Sequence, residues 1–365
     1  MKNSKIVLLT LDYPPECGGV AVYLSSLVKE SDGGISVIVP EGHATDGPGE
    51  VVAKKLFCAG RVKWRPMVNV CRKIGGGKQL LVSHVFPVGT AAWLSKLVGG
   101  PEYSIIFHGL DLKLAAGRWK SWLLNRVCNG AKVLIANSEF TKKELLKLLK
   151  RRTDVIVITP AVEEGPYPSR EEARRILNIG PDEQIVLTVA RLIPRKGLDF
   201  SLRAMSRVQT YADVVYVVLG DGPDSARLEK VAEECRTKVK WIRDAKDNEK
   251  KLWLASADVF LLPAREEKFD VEGFGIVYLE AAKAGLPCVA GSSGGIKEAV
   301  VDRRTGLVVD ADKISEIAHA VEKLLEDGDL RKTLGQAGRE RVEDEFCWSD
   351  RWLKLAEKLG TVCSE

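Results

Sequence analysis

The sequence predicts an α/β chain made of two doubly wound parallel sheets. Short runs rich in Val, Ile and Leu alternate with longer stretches of helical periodicity, which is the pattern of buried parallel strands covered by helices on both faces. The alternation runs from Lys5 to Thr159, stops, and begins again at Gln184. At 365 residues the chain is long enough for two domains of ~100–200 residues, each able to bury a core.

In the first half, strands are expected at Lys5–Leu11, Ile35–Pro40, Gln79–Ser83, Ser104–Phe107, Lys132–Ala136 and Val155–Thr159, with helices between most of them. The segment Pro160–Arg170, PAVEEGPYPSR, mixes prolines, a glycine and two acids, fits neither period, and reads as a linker. Strands resume at Gln184–Ala190, Val214–Leu219, Lys238–Ile242, Asp258–Leu262, Pro287–Ala290 and Gly306–Val309. The tail, Leu330–Leu359, reads as two helices with no strand after them. The expected division is therefore residues 1–165, residues 166–345, and a C-terminal helix within 346–365 that returns to the first domain. Ligands of such sheets lie beyond the carboxyl ends of the strands, so both sets of βα loops are expected to face a deep cleft.

Composition narrows the class. With 45% hydrophobic and 29% charged residues, the chain is neither disordered, collagen-like nor coiled coil. The N-terminal apolar run is too short for a signal peptide and no cleavage site follows it; no stretch approaches the ~18 apolar residues of a transmembrane helix. The eight cysteines form no CxxC pair, which argues against zinc and for a reduced, cytoplasmic chain. Charge is unevenly spread: 23 Lys+Arg against 14 Asp+Glu in residues 1–165, and 32 against 36 in 166–365, giving +9 and −4. The basic front half suits an anionic partner or surface.

Three clusters carry chemistry. The first βα loop, Asp12-Tyr-Pro-Pro-Glu-Cys-Gly18-Gly19, puts a glycine pair at a helix start, where backbone N–H groups can approach an anion; an ordinary tight turn reads the same way. Ala190-Arg191-Leu-Ile-Pro-Arg195-Lys196-Gly197 places cations past a buried strand, suited to a diphosphate. Asp270-Val-Glu272-Gly-Phe274-Gly275-Ile276 leads into a largely apolar helix carrying Glu280, a carboxylate that needs partners; ribose hydroxyls or a neighbouring backbone could supply them.

Glu272 and Glu280 around a Gly-Phe-Gly turn, the AGLPCVAGSSGGIKEAV that follows, the ARLIPRKG loop and the N-terminal PPECGG together resemble family 4 retaining glycosyltransferases of the GT-B fold. The resemblance runs from Tyr13 to about Phe346, and DVEGFGIVYLEA and RLIPRKG look most like phosphatidylinositol and other lipid mannosyltransferases. It implies a GT-B fold and a nucleotide-sugar donor. Glu280 would then bind ribose hydroxyls, Glu272 would lie near the sugar, and Phe274, Gly275 and Ile276 would complete the sugar and phosphate contacts. Arg191 and Lys196 would hold the diphosphate, with Gly18 and Gly19 opposite. Phe107-His108-Gly109-Leu110-Asp111 matches the family's strand-end His-Gly motif, and His108 would contact the transferred sugar.

The implied activity is transfer of a hexose, mannose from GDP-mannose first, to a lipid, lipid-linked or glycan acceptor. A UDP-glucose or UDP-GlcNAc transferase acting on a soluble acceptor, and a non-catalytic nucleotide-sugar-binding subunit, are the other readings. No cofactor, metal or nucleic acid is expected. Asp310-Ala-Asp312 superficially resembles a metal-binding DxD but precedes an amphipathic helix at Lys313–Leu325, for which Asp312 reads as N-cap. Two stretches mix Trp with cations, Arg61–Arg65 and Lys113–Arg126. They fit either an anionic membrane surface or solvated helices whose Trp residues pack inward.

Overall fold

The structure is a computed structural model and describes residues 4–361 except 17, 61, 76, 110, 111, 113–116, 152, 153, 211, 212, 268 and 269. The chain forms two compact units, Met1–Ala161 with Trp348–Glu365, and Val162–Cys347.

The first unit is a seven-stranded parallel sheet: β1 (Ile6–Leu9), β2 (Ile35–Pro40), β3 (Glu50–Lys54), β4 (Gln79–Val82), β5 (Tyr103–Phe107), β6 (Leu134–Ala136) and β7 (Val155–Val157). Its strand order is β3-β2-β1-β4-β5-β6-β7, so the direction of winding reverses between β1 and β4. The sequence reading lacks β3. This strand lies at the sheet edge with none of its residues buried, and EVVAK has too short an apolar run to announce it.

Among the described residues, five helices follow strands or loops of this sheet: α1 (Gly19–Glu30), α2 (Arg65–Arg72), α3 (Thr90–Leu97), α4 (Arg118–Gly130) and α5 (Glu139–Leu148). One buried cluster joins Val7, Leu9, Leu80, Val82 and Ile105 of the strands to Met67, Ala91, Leu124 and Leu145 of α2, α3, α4 and α5. These four helices therefore cover one face. The α1 crossover runs the other way along the sheet, which by the right-handed rule puts α1 on the opposite face.

The second unit is a six-stranded parallel sheet of β8 (Gln184–Val189), β9 (Val214–Leu219), β10 (Val239–Ile242), β11 (Val259–Leu262), β12 (Cys288–Gly291) and β13 (Gly306–Val309). Its order, β10-β9-β8-β11-β12-β13, reverses between β8 and β11. Around it are α6 (Arg170–Leu177), α7 (Leu198–Met205), α8 (Ser225–Cys235), α9 (Asp247–Ser256), α10 (Ile276–Lys283), α11 (Ile296–Ala299), α12 (Ile314–Glu326) and α13 (Gly328–Glu345). Asp312 does not cap α12 as the sequence suggests. Lys313 holds the N-cap position, and the Asp310 carboxylate instead takes the Asp312 N–H at 3.1 Å and pairs with Lys313 at 3.3 Å.

The last helix, α14 (Trp348–Leu359), belongs to the first unit and packs on α1. The Trp348 ring meets Tyr23 edge-on at 5.5 Å. At the other end, Lys132 Nζ donates to Leu359 O at 3.1 Å and Lys5 Nζ to Thr361 O at 2.9 Å, setting two cations on the negative end of the helix. Among the described residues no helix is long and apolar enough to cross a membrane.

Candidate active site

In the second unit the chain leaves β8 into a loop that closes with a single 3-10 turn, Pro194–Lys196. Gly197 follows at φ +70, and a Cβ there would sit 2.2 Å from Pro263 O. Only glycine allows the loops after β8 and β11 to touch backbone to backbone, and that contact fixes where Arg195 and Lys196 point.

Both cations point at one carboxylate. Lys196 Nζ lies 2.6 Å from Glu272 Oε2, and Arg195 donates to the same oxygen while its Nε sits 3.1 Å from Asp270. Lys196 and Glu272 are each 9% exposed. Burial alone would raise the Glu272 pKa, but the charges and hydrogen bonds of Lys196 and Arg195 outweigh it and bring the value down to about 2. Glu272 is thus ionised across the physiological range and holds the two cations at the sheet's carboxyl edge.

The turn after Glu272 is equally constrained. Gly294, at φ +63, would place a Cβ 2.1 Å from Glu272 O, and Gly295 N donates to that oxygen at 3.0 Å. The SSGG loop is therefore the backbone floor under Glu272. Phe274 is buried, with its ring centroid 6.0 Å from that of Phe346. Gly275 caps α10, and Ile276 is the helix's first residue; Tyr278 N donates to Gly275 O at 3.1 Å, and the N–H groups before it have no carbonyl partner within the helix. One turn on, Glu280 does not bond to neighbouring backbone but accepts from Lys250 Nζ at 2.9 Å. Lys250 also lies 3.3 Å from Asp247. Arg191 is exposed and is not one of the cations paired with Glu272.

Gly18, Gly19 and His108 belong to the first unit. The two glycines are exposed at the start of α1, with nothing within 4 Å of where a Cβ would stand. His108 follows β5, with its ring 5.3 Å from Tyr23 and 5.7 Å from His84. Burial, reinforced by His84, pushes its pKa well below the usual 6.5, so its imidazole is neutral at physiological pH. Leu110 and Asp111 of the same motif lie outside the described residues, as do Cys17 and Arg61.

Two family models cover most of the chain: Glycosyltransferase Family 4 matches residues 18–165 and Glycosyl transferases group 1 matches residues 169–341. The chain belongs to the glycosyltransferases. It is 29% identical, over 98% of each chain, to a GDP-mannose-dependent alpha-(1-6)-phosphatidylinositol monomannoside mannosyltransferase of Mycobacterium tuberculosis. Sucrose-phosphate synthase from Thermosynechococcus elongatus shares the fold at TM-score 0.80 and 19% identity, covering 98% of both chains. Anabaena HepE in complex with UDP and glucose does so at 0.79 and 18%, covering 98% of this chain and 100% of that one. The fold of this glycosyltransferase is GT-B, with two Rossmann-like parallel sheets.

The structure also brings forward residues to which the resemblance gave no role. Arg195 shares Glu272 with Lys196, and Lys250 meets Glu280 from α9, thirty positions earlier in sequence. In the first unit, Asp12 and His84 approach to 3.4 Å from the ends of β1 and β4. Each stands just past a strand, which is the one signal sequence offers; that β1 and β4 are neighbours is a fact of topology.

Proposed function

We propose that this glycosyltransferase moves mannose from GDP-mannose to a lipid-anchored acceptor with retention at the anomeric carbon. The full-length similarity to a GDP-mannose-dependent enzyme acting on a phosphatidylinositol mannoside carries the reading. The second unit would bind the donor. Lys196 and Arg191 take the diphosphate, Glu280 the ribose hydroxyls, and Glu272 the sugar side while fixing Lys196. Phe274, Gly275 and Ile276 offer backbone N–H groups. Breaking the C1–O bond leaves negative charge on the phosphate, and cations already in place stabilise it without reorganising. The acceptor oxygen bonds to C1 on the same face and its proton goes to the leaving phosphate oxygen, so no carboxylate nucleophile is needed.

Residues 1–165, with their +9, would bind the acceptor at an anionic membrane. Trp119 is 66% and Trp122 50% exposed on α4, next to Arg118, Lys120 and Arg126. Trp64, by contrast, packs against the core. Exposed Trp beside cations is what an interfacial helix requires.

The test is nucleoside diphosphate release from GDP-mannose, UDP-glucose and UDP-GlcNAc, with and without vesicles containing phosphatidylinositol mannoside. Fastest release from GDP-mannose, stimulated by those vesicles, supports the reading. Preference for a UDP-sugar with a soluble acceptor overturns it.

A further inference from the structure

The winding of the first sheet reverses between β1 and β4, and the crevice at such a reversal is where open α/β sheets bind ligands. Two side chains flank it. Asp12 follows β1, His84 follows β4, and His84 Nε2 lies 3.4 Å from Asp12 Oδ2. We propose that Asp12, steadied by His84, is the acceptor-recognition group of this enzyme and accepts a hydrogen bond from a hydroxyl of a sugar or other cyclic polyol. The inference deepens the reading of the first unit as acceptor-binding and rests on it.

Both members of the pair are held in advance. The Asp12 N–H donates to Thr10 Oγ1 at 3.0 Å. The next residue, Tyr13, is fully buried and donates its hydroxyl to Pro48 O at 2.6 Å. His43 Nε2 reaches Tyr13 O at 2.9 Å, so that nitrogen carries the proton and pins the loop from outside. On the other strand, buried Ser83 Oγ lies 2.8 Å from His84 Nδ1, and Gly89 N donates to His84 O at 2.9 Å. With the Ser83 hydroxyl donating to Nδ1, Nε2 carries the proton, 3.4 Å from Asp12 Oδ2. This much fixing is what a recognition group needs if binding is not to cost the ordering of its side chains.

The chemistry selects the ligand. A carboxylate has lone pairs for several donors, and Asp12, whose side chain is 42% exposed, keeps capacity beyond the contact with His84, whose side chain is 20% exposed. Its negative charge opposes a phosphate at the same spot, so a neutral hydroxyl fits and a phosphate does not. His84 touches no substrate in this account. It is a positioning residue that sets the direction of the carboxylate.

The test uses the full chain and has two arms. With only four histidines in the sequence, the His84 imidazole can be assigned by its loss in His84→Gln and followed by NMR during titration with methyl α-mannoside. The expected result is a saturable shift of the His84 signals in the native chain and none in Asp12→Asn. No shift in the native chain overturns the proposal, whatever the donor proves to be. In the kinetic arm, GDP-mannose is supplied with or without phosphatidylinositol mannoside vesicles. Asp12→Asn should lower the ratio of transfer to donor hydrolysis about 10–100-fold through the acceptor KM, the scale of one hydrogen bond to a charged group. His84→Gln should lower it less, about 3–10-fold, as a lost orienting contact. Equal loss of transfer and hydrolysis in Asp12→Asn overturns the proposal. A native chain inert toward GDP-mannose refutes the donor reading instead, and the titration still decides the role of Asp12.

Discussion

The two sheets of this enzyme reverse their winding at equivalent places, β1/β4 and β8/β11, and put opposite chemistry there. At β8/β11 the loop after the strand delivers Arg195 and Lys196, locked on buried Glu272. At β1/β4 it delivers Asp12 and His84, with neutral His108 just past β5 nearby. One crevice is built around two cations paired with a buried carboxylate; the other is built around a carboxylate and imidazoles. The architecture supplies the place, and a few residues past each strand end decide what is bound.

The sharpest way to break this contrast is Lys196→Met. Turnover should fall on the order of 10²–10³-fold, the loss expected when one preorganised contact to developing charge is removed. Circular dichroism and a thermal melt would report the fold separately, since Glu272 keeps Arg195 but loses one of its two cations. An unchanged kcat/KM would take Lys196 out of the site. Arg191→Ala should cost less, about 10²-fold in kcat/KM, with no loss of stability because Arg191 is exposed and outside the buried cluster.

A smaller effect probes the surface of the first unit. Replacing Trp119 and Trp122 with Ala should weaken flotation with anionic vesicles about tenfold, as two partly inserted aromatics would. Flotation equal to the native chain would return these residues to the solvated class.

Acid should separate the units by smaller steps. The His108 pKa is depressed in the fold, so below pH 6.5 the unfolded chain takes up a proton that the folded one refuses. The first unit should therefore weaken as pH falls from 6.5, by up to about 1.4 kcal/mol per pH unit. Glu272 works in a lower window: its contribution is complete above its ordinary 4.5 and is lost as pH falls toward about 2. Urea titrations at pH 7 and 5.5, read by hydrogen exchange of each unit, should show the first weakening more, and His108→Gln should remove the difference. Equal weakening would contradict it.

Much of this was legible in residue order. Every strand read from the sequence is present, and most are buried strands that write a continuous apolar run; β3 was illegible because this edge strand, with no buried residue, has too short an apolar run. The glycosyltransferase motifs were legible because backbone approaches such as Gly197 against Pro263 tolerate only one residue type. The side of the helix that Trp119 and Trp122 occupy was not legible: cation-flanked Trp suits a core or an interface equally, and only packing separates them from Trp64.

Sequence alone thus determined the α/β class, the strands and the cation-bearing loop, since each depends on neighbours along the chain. Tertiary structure alone decided that Glu272 gathers Arg195 and Lys196, that Lys250 meets Glu280, and that Asp12 stands beside His84. These pairs depend on which strands lie side by side. Strand order is set by packing both faces of a sheet at once, and no local pattern encodes it.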